Sequence, residues 1–274
     1  MTAVLRDASG WLQPQRPLSA ELLTLFCFSY AGGSPSAFRG WQAELPGVQV
    51  VPILLPGRCT RLTEQPCAES AIAVGEISAA IAASMEAGHC DRYAMFGHSM
   101  GALLAYQTAV QLRRGGRRRP AHLFVSASRP PHQYGQQARH QWSDDELRSL
   151  VRELGGQTAQ GPLADEFLQR RLPALRADLS ICDTYRWRPE PPLDCPMTAF
   201  AGTADPIANP EQVLGWREYT SRSFVARTVE DDHFFLLARN GREQLLAQLK
   251  NELCEPDESI QVPCYGTSTN GTGA

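Results

Sequence analysis

The chain has 274 residues, of which 43% are hydrophobic and 20% charged, the balance of a soluble globular protein with room for one α/β domain and an insertion. A formal net charge of −3 and a pI near 6.1 argue against nucleic acid as a partner. No apolar run reaches the roughly 18 residues of a membrane-crossing helix, and the N-terminus lacks the basic-then-apolar pattern of a signal peptide, so a cytoplasmic location away from the membrane is expected.

Residues 1–20 are mixed and polar and read as a poorly ordered lead-in. Residues 22–28 form an apolar strand that runs into the turn Ser29-Tyr30-Ala31-Gly32-Gly33-Ser34-Pro35. Residues 48–55 are a second strand, ended by Pro56-Gly57. Residues 68–87 read as a helix with Ile77, Ile81 and Met85 on one face. Residues 93–97 are a strand and 100–112 a helix. Strands follow at 123–128, 197–201 and 223–229. Residues 236–253 carry a closing helix, with a break or kink expected near Asn240-Gly241. Strands that alternate with helices, with an apolar run in each strand, predict a mostly parallel sheet covered on both faces, an α/β fold.

Residues 130–192 depart from that alternation. Ser143-Asp144-Asp145-Glu146 is a capping box, Leu147, Leu150, Val151 and Leu154 follow at helical spacing, and Gly155-Gly156 ends the helix. Residues 163–172 and 174–187 read as further helices. An insertion between two strands lies over the strand C-termini, where α/β sheets bind ligands, and is read as a lid. The tail, 254–274, is rich in Gly, Ser and Thr and is expected to be disordered. The eight cysteines form neither C-x-x-C nor a metal pattern, so free thiols and no metal or other cofactor are expected.

The segment that names a chemistry is Gly97-His98-Ser99-Met100-Gly101. It is G-x-S-x-G between a strand and a helix, the nucleophile elbow, which raises a serine hydroxyl at a helix N-terminus. The serine needs a base, and the base needs an orienting carboxylate. In this fold class the acid and then the histidine follow the serine. Of six histidines only His233 lies after the later strands. The acid is placed at Asp205, on the loop after strand 197–201, with Asp231 and Asp232 as competitors beside the histidine. His98, inside the elbow, cannot reach back to Ser99 and reads as a structural neighbour. An oxyanion needs two donors: the N–H of Met100, and one from the loop after the first strand, for which Ala31 is the candidate.

On Phe28-Ser29-Tyr30-Ala31-Gly32-Gly33-Ser34, Leu55-Pro56-Gly57-Arg58, Gly97-His98-Ser99-Met100-Gly101-Ala102, Phe200-Ala201-Gly202-Thr203-Ala204-Asp205 and His233-Phe234-Phe235-Leu236, the chain resembles the type II thioesterases of nonribosomal peptide and polyketide assembly lines. The resemblance spans about residues 20–250. Fatty-acid chain-terminating thioesterases share most of these features. It implies an α/β-hydrolase fold over 21–253 with a helical lid, a triad of Ser99, Asp205 and His233, and a substrate thioesterified to phosphopantetheine on an acyl or peptidyl carrier protein. A monomer is expected. The chain starts at Met1 without a fused carrier domain, which points to editing in trans.

Two departures stand out. Cys59 and Thr60 precede Arg61 where the family often has an acidic residue after Pro-Gly-Arg; structural pairing is expected for Arg58 and Arg61. Asp231-Asp232 stands where small residues often precede the histidine, and would raise its basicity if the side chains face it. The run Arg113-Arg114-Gly115-Gly116-Arg117-Arg118-Arg119 is read as a solvated loop, with an acidic-carrier docking patch as the sharper alternative. A carboxylesterase or a medium-chain acyl-carrier thioesterase would use the same groups. A malonyl-type acyltransferase would want Gly-Gln-Gly near the N-terminus and an Arg on the elbow helix, neither of which is seen. A non-catalytic hydrolase-fold protein would lack one of the three residues.

Overall fold

The computed structural model describes residues 10–153 and 162–254. Its centre is a parallel sheet of β1 (Leu23–Phe28), β2 (Val48–Pro52), β3 (Tyr93–His98), β4 (Leu123–Ser126), β5 (Met197–Gly202) and β6 (Phe224–Val229), in the order β2-β1-β3-β4-β5-β6. Every residue of β1 to β5 is buried. That is why these strands read as mostly apolar runs, interrupted by buried polar residues such as Thr24, Gln49 and Thr198. Edge strand β6 is mostly open, and Ala226, Arg227 and Thr228 are exposed.

One face is covered by α2 (Ser70–Glu86) and α3 (Met100–Arg114), the other by α1 (Trp41–Glu44) and α7 (Arg239–Cys254), and each face has its own apolar core. On the first, Ile77 and Ile81 of α2 meet Met95 and Leu104. On the second, Trp41, Phe38 and Phe96 form an aromatic cluster with edge-to-face pairs. Between β4 and β5 lie α4 (Asp144–Glu153) and α5 (Pro162–Thr184), and α6 (Pro210–Leu214) follows β5. The capping box is present: Ser143 Oγ accepts from the Glu146 N–H, while Glu146 Oε2 accepts from the Ser143 N–H.

Three expectations change. The lead-in is packed from residue 11: Trp11 and Leu12 are buried, Leu12 bridges Ile53, and Trp11 C=O accepts from Leu54 N–H. Two large apolar side chains suffice to dock a polar segment, and Arg61 lies 4.5 Å over the Trp11 ring. The two expected lid helices are one, α5, with Pro173 inside. Proline costs a helix interior about 3 kcal/mol. Here the burial of Leu172, Ala174, Leu175 and Leu179 around it outweighs that cost. The closing helix begins at Arg239, so Asn240-Gly241 lie in its first turn and mark no kink. The expected helix stop at Gly155-Gly156 and the expected disordered tail lie outside the described residues, apart from Cys254. Among the described residues, no helix is long and apolar enough to cross a membrane.

The sheet reverses its winding between β1 and β3. The crevice beyond their C-terminal ends is a topological switch point, the usual ligand site of open α/β sheets. The turn after β1 and the elbow after β3 flank it.

Candidate active site

Ser99 sits between β3 and α3 with φ 56° and ψ −121°, a conformation that a non-glycine residue holds only under constraint. The constraint comes from its neighbours. A Cβ on Gly97 would lie 2.3 Å from the Gly101 carbonyl oxygen, and one on Gly101 would lie 2.2 Å from that of Phe28. Glycine at both places lets α3 press against β1 and β3, which drives the serine into its turn.

The loops after β5 and β6 bring the other two groups to it. His233 Nε2 lies 3.0 Å from Ser99 Oγ, and His233 Nδ1 lies 2.8 Å from Asp205 Oδ2. A carboxylate only accepts, so Nδ1 carries the proton and Nε2 is left to accept from the serine hydroxyl. Asp205 Oδ1 accepts from the N–H groups of Ile207 and Ala208 at 2.8 and 3.1 Å. Asp205 and His233 are 4% and 2% exposed, so this line of polar groups is shielded from water.

Asp231 and Asp232 do not join it. Asp231 Oδ1 accepts from Asp232 N–H, and Asp232 Oδ1 from Phe234 N–H, so both carboxylates shape the histidine loop. His98 is fully buried beside that loop. Its Nε2 donates to the His233 carbonyl at 2.8 Å, and its Nδ1 lies 2.9 Å from Ser126 Oγ. Burial, together with the neighbouring His233, pushes its pKa well below the usual imidazole range, so it is neutral. The remaining histidines lie elsewhere: His122 bonds Thr198, His132 bonds Tyr219, His140 bonds Asp183, and His89 is exposed.

Ser99, His233, Ala31 and Met100 all line one cavity of about 70 Å³. The lid supplies much of its wall, through Leu150 and Val151 of α4 and Leu175, Leu179 and Cys182 of α5. Arg129 and Arg139 also reach it, the Arg129 guanidinium lying 5.3 Å over the Tyr134 ring. The sequence reading did not single out these two arginines. No local motif marks them, because the lid and the loop after β4 bring them together.

Each arginine of the run at the end of α3 has an acidic partner. Arg113 and Arg114 share Glu190, Arg117 pairs with Glu86, Arg118 with Asp91 and Arg119 with Asp194. That favours the solvated-loop reading over a docking patch. Arg61 pairs with Glu64 and bonds the Leu54 carbonyl. Arg58 is buried against Asp178 of the lid. Cys27, Cys59, Cys67, Cys90, Cys182 and Cys195 are free thiols.

Comparison with known proteins agrees with this architecture. The Thioesterase domain family matches residues 23–253. The chain is 37% identical over 252 residues to the linear gramicidin dehydrogenase LgrE of Brevibacillus parabrevis, covering 89% of this chain and 93% of LgrE. It is 51% identical to the structure of the RedJ thioesterase from the prodiginine pathway of Streptomyces coelicolor, with a TM-score of 0.81 over 84% of this chain and 86% of RedJ. The type II thioesterase BorB from the borrelidin cluster superposes with a TM-score of 0.76 at 30% identity, covering 89% of this chain and 96% of BorB. LgrE bears an oxidoreductase name, yet this sequence contains no G-x-G-x-x-G dinucleotide fingerprint. Its glycines after β3 instead build the elbow of Ser99.

Proposed function

The chain belongs to the thioesterase domain family, and from that premise we propose that it hydrolyses acyl or aminoacyl thioesters on the phosphopantetheine arm of carrier proteins. The carriers are those of a nonribosomal peptide or polyketide assembly line, and the groups removed are misprimed or stalled ones. The similarity to thioesterases of the prodiginine and borrelidin pathways supports this setting.

The observation that carries the reading is the hydrogen-bonded line Ser99–His233–Asp205, at 3.0 and 2.8 Å, beside a lid-walled cavity. In the proposed mechanism Ser99 Oγ attacks the thioester carbonyl carbon while His233 Nε2 takes its proton. Asp205 holds the imidazole and stabilises the cation. The N–H groups of Ala31 and Met100 receive the oxyanion, each worth on the order of 3 kcal/mol. The C–S bond breaks as His233 Nε2 passes its proton to the departing sulfur, and the thiol leaves readily because its pKa is about 8.5. His233 then activates water, which releases the acid and restores the serine. A cavity of about 70 Å³ is far smaller than the several hundred Å³ of pockets for drug-sized ligands, which favours short acyl groups over medium chains.

The test is hydrolysis of acetyl-phosphopantetheinyl carrier protein beside acetyl-CoA and p-nitrophenyl acetate, with Ser99→Ala as control. The reading expects the carrier-bound thioester to be preferred and Ser99→Ala to lose on the order of 10⁵–10⁶-fold in kcat. Equal or greater activity on the simple ester would make the protein a general esterase. A Ser99→Ala enzyme with its turnover intact would remove Ser99 from the mechanism.

A further inference from the structure

The turn that carries the Ala31 N–H is held by an ion pair that spans the molecule. Gly33 N–H donates to the Tyr30 carbonyl at 2.8 Å, closing a four-residue turn over 30–33. Gly32, at the third position, has φ +74°, the positive value that a type II turn demands there. Its central N–H points away from the turn and donates to Asp178 Oδ2 of α5 at 2.7 Å. Arg58 grips the same carboxylate with two nitrogens, Nη1 to Oδ2 at 2.8 Å and Nη2 to Oδ1 at 2.7 Å. Arg58 Nη1 also donates to the Gly33 carbonyl at 2.9 Å. The side chains of Arg58 and Asp178 are 6% and 0% exposed.

Three peptide groups of the turn are thereby fixed. The Tyr30 carbonyl, which shares a peptide plane with the Ala31 N–H, is tied within the turn; the next peptide is tied to Asp178; the one after Gly33 is tied to Arg58. Leu175, one helical turn before Asp178 on α5, packs 3.3 Å from where a Gly32 Cβ would stand. The lid helix that walls the acyl cavity and the turn beside Ser99 are thus one rigid unit.

We infer that Arg58 and Asp178 are positioning residues for the reaction: they aim the Ala31 N–H at the oxyanion, and through them closure of the lid helix and assembly of the oxyanion site are a single event. This rests on the thioesterase reading, in which Ser99 is the nucleophile and Ala31 a donor. A buried ion pair of this kind is not needed for stability as such. Apolar pairs of similar volume commonly substitute for one without loss, whereas removing one partner strands a buried charge. That asymmetry separates positioning from mere support.

The experiment compares the wild-type chain with Asp178→Ala and with the double variant Arg58→Met/Asp178→Leu. Thermal unfolding, kcat and KM on acetyl-phosphopantetheinyl carrier protein, and the affinity for n-butylboronic acid are measured. The boronic acid forms a tetrahedral adduct on a nucleophilic serine, and its Kd does not depend on the fraction of enzyme that is active. Asp178→Ala is expected to be unstable. The double variant strands no charge but leaves the Gly32 N–H and the Gly33 carbonyl without these partners; it is expected to melt between Asp178→Ala and the wild type, with kcat lowered about 10–100-fold, since losing an oxyanion donor outright costs about 10²–10³-fold. KM should stay within about twofold, and boronate affinity should fall by the same factor as kcat. A stable double variant with wild-type kcat and boronate affinity would overturn the inference and leave the pair as structural support only. Where the double variant fails to fold, Arg58→Lys gives the same readout. A several-fold lower kcat and boronate affinity at unchanged KM supports positioning, and unchanged values overturn it. Failure of the thioesterase reading shows separately, as wild-type enzyme that does not bind the boronate or Ser99→Ala enzyme that still turns over.

Discussion

The elbow and the turn facing it flank one cavity, and they are specified in opposite ways. The elbow is local. Gly97, Ser99 and Gly101 lie within five residues, and their shape follows from steric contact between α3 and the strands it packs on. The turn over 30–33 is not local. Its central N–H is held by a residue 146 positions away, and its last carbonyl by one 25 positions away, the two holders being 120 apart. A device made of sterics fails when an atom is added; a device made of distant hydrogen bonds fails when an atom is lost.

The sharpest way to break the comparison is to add the same methyl group to both. Gly101→Ala would put a Cβ 2.2 Å from one backbone oxygen and 2.6 Å from another, neither of which can move without displacing β1. The variant is expected to accumulate little folded enzyme, a loss of more than about 4 kcal/mol. Gly32→Ala meets only the flexible Leu175 side chain at 3.3 Å, with a left-handed conformation that costs about 1–2 kcal/mol. It should fold, and lose about tenfold in kcat. Circular dichroism and active-site titration on both proteins check this, and equal effects would erase the distinction.

Between those cases stands the acid. Asp205→Asn keeps an oxygen for Ile207 and Ala208 but offers the imidazole the wrong partner. The expected loss is about 10⁴-fold in kcat with the melting temperature nearly unchanged. A loss below tenfold would mean that His233 is oriented chiefly by its loop, through the His98 contact, and not by the carboxylate.

The same contrast explains what the sequence could disclose. The strands were legible because β1 to β5 are buried on both faces and so are mostly apolar. Ser99, Asp205 and His233 were legible because chain order constrains which acid and which histidine can reach the elbow. Arg58 stood out as a motif, but its partner did not. Asp178 is an unremarkable acid in an amphipathic helix, and nothing within reach of a periodicity argument ties it to Gly32. Pro173 misled for a related reason: a local helix breaker was outweighed by the tertiary burial of Leu172 and Leu175. The lead-in misled similarly, since the site for Trp11 and Leu12 is built by residues 53–61.

The sheet beneath the two sides also answers to acid. The turn is held by an ion pair, whereas the sheet holds two buried neutral imidazoles, His98 bonded to Ser126 and His122 bonded to Thr198. Burial lowers the His122 pKa to about 4 and takes that of His98 well below its usual value. Below pH 6.5 the unfolded chain takes up protons on these residues that the folded chain refuses, so unfolding is favoured as pH falls from about 6.5 towards 4. Once pH has passed below the folded-state value, both states are protonated and that residue contributes no further loss. For His122 the total is about 3 kcal/mol across the window. Urea midpoints at pH 7, 5.5 and 4 should therefore fall, and His122→Gln, which keeps a partner for Thr198 without titrating, should fall less. A wild-type and a variant slope that coincide would place the acid sensitivity outside this part of the sheet.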